Sequence, residues 1–195
     1  MITVILLAAG ASRRMGTQDK LALDYEGQPM LEHTIRQLLA AQISDLIVVR
    51  PTAAVDFLPA DLQPKLQIAV NPNPERGMTS SIKSGLPLVS PATTGIMIAL
   101  ADMPLLQTAD YDQIITAFQS CVVNHPATIA VPFHADKKGN PVIFSAHFRE
   151  ALQNNPHPEG ARLLIKAEWD NLCKVEMATR AVLLDVDTPE DYRKL

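Results

Sequence analysis

The chain has 195 residues, a formal net charge of −4 at pH 7 and a hydrophobic content of 47%. These values suit one folded domain with a substantial core and exclude a disordered chain. The acidic balance argues against broad nucleic-acid binding through phosphate neutralisation, and no apolar run approaches the roughly 20 residues of a membrane span.

In chain order, Met1 to Ala8 reads as a first strand. PMLEHTIRQLLAA predicts a helix, with Pro29 suited to its first position and Leu31, Ile35, Leu38 and Leu39 on one face. DLIVVR and LQIAV are strands, MTSSIKSGLPLV is helical at its start, and GIMIALAD is a buried strand. TADYDQIITAFQSCVV predicts a helix with Ile114, Ile115, Phe118 and Val122 on one side. ATIAVPF and NPVIFS are later strands, GARLLIKAEW is a helix, AVLLDVD is the last strand and TPEDYRKL the terminal helix. Strands alternating with helices, and apolar along their length, imply a mostly parallel α/β sheet covered on both faces. No linker divides the chain, so a single domain over residues 1–195 is expected.

Such sheets bind ligands beyond the carboxyl ends of their strands, and four segments there carry chemistry. In the first, Gly10 lets the chain turn sharply, Arg14 can fork onto phosphate oxygens and Lys20 adds a point charge. The spacing is neither a dinucleotide fingerprint nor a Walker A loop, which argues against a dehydrogenase; the bland alternative is a solvated basic loop. In the second, Asp102 ends an apolar strand, where a carboxylate needs a partner. Magnesium, which takes one or two carboxylates plus phosphates, is one such partner, and a turn before Pro104 is the other reading. In the third, Asp185 and Asp187 would face one way on a strand and could approach the same metal. Thr188 and Pro189 equally make a helix start, with Asp187 as its entrance charge. In the fourth, Asn71, Gly77 and Ser80 offer amides and hydroxyls that could read a nucleotide or simply cap a helix.

Cys121 and Cys173 lack metal-type spacing and are expected to be reduced, and the five histidines form no HExxH pattern. The apolar start has no basic flank or signal-type cleavage pattern, so a soluble, cytoplasmic protein is expected.

The order of these segments is more specific than any one of them. LAAGASRRMGTQDKL resembles the signature loop of the molybdenum-cofactor nucleotidyltransferases, whose pattern is LAAG, a spacer, Arg-Met-Gly and then Lys-Leu. RGMTSSIKSGL, LADMPLL, GNPVIFSAHF, GARLLI and LLDVDTPEDY are similar to the cytidylyltransferase branch, so the resemblance runs from Val4 to about Tyr192. It implies a nucleotide-diphospho-sugar transferase fold, a Rossmann-like three-layer α/β/α sandwich. It implies a magnesium-dependent transfer of CMP from CTP to a molybdopterin-type acceptor, with release of pyrophosphate. The Leu7, Ala8, Ala9 and Gly10 backbone, Arg14 and Lys20 would lie against the nucleotide, near Asn71, Gly77 and Ser80. Arg14, Lys20 and Asp102 would be catalytic, Asp102 and Asp187 would hold the metal, and Gly139 and Asn140 would face the acceptor.

The chain also departs from the pattern. Arg13 stands beside Arg14, and Thr79 replaces a serine or smaller residue. Asn140 stands where histidine is common, and the Thr17-Gln18-Asp19 spacer is closer to the guanylyltransferase branch. The choice between CTP and GTP therefore stays open. So do a phosphosugar or phospho-alcohol acceptor and a non-catalytic, nucleotide-binding role in delivery to a molybdenum enzyme or its chaperone.

Overall fold

Strand β1 (Ile2–Leu7) lies near the middle of the main sheet, because both of its faces are apolar and both are covered. A short hairpin of β2 (Asp24–Tyr25) and β3 (Gln28–Pro29) leads into α1 (Met30–Ala40). β4 (Asp45–Arg50), β5 (Gln67–Val70), α2 (Met78–Gly85), β6 (Gly95–Leu100) and α3 (Thr108–Asn124) follow. The second half comprises β7 (Ile129–His134), β8 (Lys137–Lys138), β9 (Val142–Ser145), α4 (Arg149–Asn154), α5 (Arg162–Ala167), β10 (Leu172–Glu176) and α6 (Pro189–Tyr192). The structure is a computed structural model that describes residues 1–10, 19–53 and 58–195.

The main sheet runs β10-β7-β9-β6-β1-β4-β5, with β8 paired to β7. Its β5-β4, β4-β1, β1-β6 and β7-β10 pairs are parallel, and β9 runs antiparallel between β6 and β7. Alternation along β1 divides the core in two. Val4 and Leu6 pack with Leu31 and Ile35 of α1 and Tyr111 and Phe118 of α3. Ile5 joins Ile82 of α2, Leu152 of α4 and Ile165 of α5 on the other face. The fold is therefore the three-layer α/β sandwich with a mostly parallel sheet that the resemblance implies. Among the described residues no helix is long and apolar enough to cross a membrane.

Two expectations are corrected. AVLLDVD does not form the last strand: Arg180–Leu183 is a 3-10 turn whose start is capped by Thr179, which accepts the Ala181 amide at 3.0 Å. The segment is held by separate contacts to different parts of the fold, Asn140 N to Val182 O at 2.9 Å and Val186 N to Asp102 O at 2.8 Å. The last strand is β10, which pairs with β7 and buries alternate residues, Cys173 and Val175. Second, Cys121 and Cys173 form a disulfide rather than the two thiols that their spacing predicts. Packing of α3 across β10 brings their Cα atoms within 6.3 Å despite a separation of 52 residues. In addition, Pro29, expected at the first helical position of α1, stands one place earlier, at the N-cap, and Met30 is the first helical residue.

Gly95 opens β6 under α3, where an added Cβ would meet Phe118 Cε1 at 2.6 Å and Ile2 Cδ1 at 2.7 Å. Gly95→Ala is expected to cost about 1–3 kcal/mol through overpacking, read as a lower urea midpoint with an unchanged slope.

Candidate active site

Parallel pairing aligns the carboxyl ends of β1 and β6, with Leu7 opposite Leu100. The chain continues in step past both strands, since the Ala101 amide donates to Leu7 O at 3.2 Å. Asp102 follows directly. Its carboxylate Oδ2 accepts the Lys20 ammonium at 2.6 Å, and Asp187 Oδ1 accepts the same ammonium at 2.9 Å. Three segments separated by 82 and 85 positions therefore meet at one cation.

Local structure aims each member. Asp19 Oδ1 accepts the Leu21 amide at 3.1 Å and caps the one-turn 3-10 helix Lys20–Ala22. Asp187 precedes the capping box of α6, in which Thr188 Oγ1 accepts the Asp191 amide and Asp191 accepts the Thr188 amide in return. The Val186–Asp102 backbone bond joins the two acidic segments. Lys20 is 10% exposed, Asp102 19% and Asp187 42%, so the cluster opens to solvent on the Asp187 side.

The electrostatics follow from this geometry. Burial pulls the Lys20 ammonium down, but Asp102 and Asp187 outweigh it, and its pKa lies above the ordinary lysine value. Partial desolvation, with Asp102 and Asp187 nearby, raises the Asp185 carboxyl above the usual carboxylate range. Asp102 Oδ1 is buried and has no hydrogen-bond partner among the described residues, which leaves an acceptor atom beside an acidic neighbour. This suits a hard divalent cation, which prefers carboxylate oxygens. Among the described residues no group of three or more His, Cys, Asp or Glu could hold a metal. Asp102 and Asp187 would thus supply a partial shell that substrate oxygens complete.

The other described sequence candidates fall into three groups, at the end of β1, at the start of α2 and in a separate cleft. Leu7 closes β1, Ala8 and Ala9 are buried after it, and Gly10 is exposed at the start of the signature loop. Arg13 and Arg14 lie outside the described residues. Asn71, Gly77 and Ser80 do come together: Asn71 Nδ2 donates to Ser80 Oγ at 2.8 Å and to Ser81 Oγ at 3.0 Å, while Ser80 Oγ donates to Gly77 O at 2.8 Å. Gly77 has φ +88°, and Pro158 O leaves no room for a Cβ there. Thr79, unusual for the pattern, donates to the His157 carbonyl and accepts the Gly160 amide at 3.0 Å, tying α2 to the segment before α5.

Gly139 and Asn140 line a cleft of about 200 Å³ on the α2–α5 face. Its floor includes Ile98, Val131 and Val142, and Lys138, Glu159 and Arg162 also line it. Gly139 packs against the Val182 carbonyl so closely that a Cβ would clash. One residue of the site escapes sequence reasoning. Arg50 ends β4, and its Nη2 lies 3.6 Å from Asp19 Oδ2. A lone arginine after an apolar run matches no motif, so its strand-end position is the signal that could have found it.

The MobA-like NTP transferase domain family matches residues 4–172. Purine catabolism protein PucB of Bacillus subtilis is 29% identical, over 96% of this chain and 92% of its own length. Molybdenum cofactor cytidylyltransferase of Escherichia coli is 28% identical, over 98% and 93%. The crystal structure of Rv0371C from Mycobacterium tuberculosis in complex with manganese is 28% identical with a TM-score of 0.73, over 100% of this chain and 97% of that one.

Lys20 has a measurable consequence without any substrate. The folded chain holds its proton more tightly than the unfolded chain, so its stabilisation is complete at neutral pH and is lost as pH rises through the raised pKa. The difference in urea stability between wild type and Lys20→Met should be flat from about pH 7 to 9 and shrink above about pH 10.5. A difference that ignores alkaline pH would contradict this charge assignment.

Proposed function

Because the chain belongs to the MobA-like NTP transferase domain family and is a nucleotidyltransferase of that family, we propose that it moves CMP from CTP onto a molybdopterin-type acceptor. The observation that carries this reading is the Lys20 ammonium held between Asp102 and Asp187 at the carboxyl edge of the sheet. Mere binding of a base needs no such constellation. The likeness to a molybdenum cofactor cytidylyltransferase supports a molybdopterin-type acceptor.

In the reaction, an acceptor phosphate oxygen attacks the α-phosphorus of the nucleoside triphosphate. The new P–O bond forms as the bond to the bridging oxygen breaks, and pyrophosphate leaves with that electron pair. Lys20 and Arg14 neutralise the charge that builds on the phosphates. Asp102 and Asp187 would hold magnesium, which when bound adds Lewis-acid neutralisation of the triphosphate; the manganese complex of the related Rv0371C supports a divalent ion. The backbone from Leu7 to Gly10 and the Asn71–Gly77–Ser80 corner form the nucleotide side of the site. Gly139 and Asn140 serve the acceptor, in the cleft that Ile98, Val131 and Val142 also line.

A pyrophosphate-release assay over CTP, GTP, ATP and UTP, with and without molybdopterin carrying molybdenum, tests the reading. Release is expected with CTP and acceptor together, and chelation of magnesium should abolish it. Asp102→Ala and Lys20→Ala should each lower kcat by about 10²–10³, the usual size of one lost transition-state contact. A folded Asp102→Ala protein at the wild-type rate would refute the assignment. Tight CTP binding without release at any acceptor would favour a delivery role instead. Asp187→Ala should lose at least about tenfold and Asp185→Ala less than about threefold, because Lys20 contacts Asp187.

A further inference from the structure

The chain re-enters the described structure at Asp19, and a different strand holds it there. Arg50 is the last residue of β4, the neighbour of β1 in the sheet. Its side chain is only 11% exposed, yet its guanidinium reaches Asp19 Oδ2 at 3.6 Å. The other oxygen of that carboxylate, Oδ1, caps the turn at the Leu21 amide. The next residue along, Lys20, spans Asp102 and Asp187. One carboxylate therefore does two tasks, joining the sheet through one oxygen and shaping the Lys20 turn through the other.

Burial of the Arg50 partner makes this pair an anchor, although Asp19 itself is half-exposed. A carboxylate next to a flexible surface arginine is held weakly, because both side chains lose entropy in pairing. The Arg50 stem is instead fixed at a strand end, on the backbone framework that also sets Ala8, whose amide donates to Val49 O at 3.0 Å. Leu21 in the core and the Met30 amide on Leu23 O at 2.9 Å hold the far side of the 3-10 turn; the Arg50 pair holds its Asp19 end, and short 3-10 segments are poor at holding their own geometry.

We propose that Arg50 is a positioning residue for nucleotidyl transfer: it fixes the Asp19 carboxylate and, through the turn that Asp19 caps, sets where the Lys20 ammonium stands. The consequence for catalysis rests on the reading of Lys20 given above, whereas the tether from Arg50 to the Lys20 turn does not. The charge pairing also gives the Thr17-Gln18-Asp19 spacer a role, since its last residue is the one that Arg50 holds.

Two measurements on the full chain decide it. In the ligand-free protein, Arg50→Met and Asp19→Asn should each speed amide exchange at Leu21 and Ala22 by about tenfold, with β6 and α3 unchanged. In the pyrophosphate assay each variant should lower kcat by about tenfold while KM for the nucleotide moves less than about threefold. The double variant should fall no further than either single one, and Arg50→Lys should recover part of the loss. Unchanged exchange at Leu21 in Arg50→Met would overturn the tether. Losses that multiply in the double variant would overturn the positioning role and mean that Arg50 acts on substrate separately. If Arg50→Met fails to fold, Asp19→Asn, at a side chain 46% exposed, still reports the exchange. If wild type releases no pyrophosphate, the transferase reading falls while the exchange measurement still decides the tether.

Discussion

Two carboxylates cannot share a half-buried edge without a cation, and that constraint organises this protein. Asp102 and Asp187 converge on Lys20 at 2.6 and 2.9 Å. Each would repel the other in a partly desolvated site, so the ammonium is what makes the convergence tolerable. Everything that delivers these three side chains serves that meeting. The β1–β6 pairing sets Asp102, the α6 capping box and the Val186 amide set Asp187, and the Asp19 cap sets Lys20.

The same arrangement would suit the triphosphate of the proposed reaction. A fully formed protein cage would bind a cation permanently and leave no place for substrate oxygens. Two carboxylates and one lysine instead leave a net negative charge, which a cation arriving with a highly charged ligand would offset. The burial of Asp102 Oδ1 without a hydrogen-bond partner among the described residues fits that incompleteness. Around it, rigid neighbours are close-packed. Gly139 lies against the Val182 carbonyl, Gly77 against Pro158, and Asn71 is buried among Ser80, Ser81 and Asn73. Much of what resembles nucleotide recognition in NPNPERGMTSS is therefore also internal wiring, which holds the start of α2 in place.

The two halves of the molecule contribute differently. The first half supplies the parallel ladder β5-β4-β1-β6 and with it the strand ends that carry Gly10, Arg50, Asn71 and Asp102. The second half inserts β9 antiparallel beside β6, which brings Gly139 and Asn140 to the cleft on the α2–α5 face. Its last segment then crosses to Asp102 and donates Asp187. The AVLLDVD segment can do this because it is not a strand. A ladder position would have committed its backbone along a neighbour, whereas separate contacts let it turn at Val186 towards the site.

The sequence by itself determined the layered α/β architecture and most of the strand ends, because burial leaves a local record. Continuous apolar runs such as GIMIALAD mark strands covered on both faces, and a carboxylate directly after one, Asp102, stands out for its cost. Lys20 and Asp187 rest instead on the signature resemblance, and the strand alternation that would turn Asp185 and Asp187 the same way does not hold, because their segment is not a strand. What only tertiary structure decided are pairings between distant positions. β10 was illegible because LCKVE is a short edge strand with two exposed charges, and its identity comes from pairing with β7. The Cys121–Cys173 disulfide depends on α3 crossing β10, and the Arg50–Asp19 tether on β4 lying beside β1. Local pattern records which side chains must be buried or exposed; which of them meet is set by the order and register of strands, and these emerge only when the chain folds.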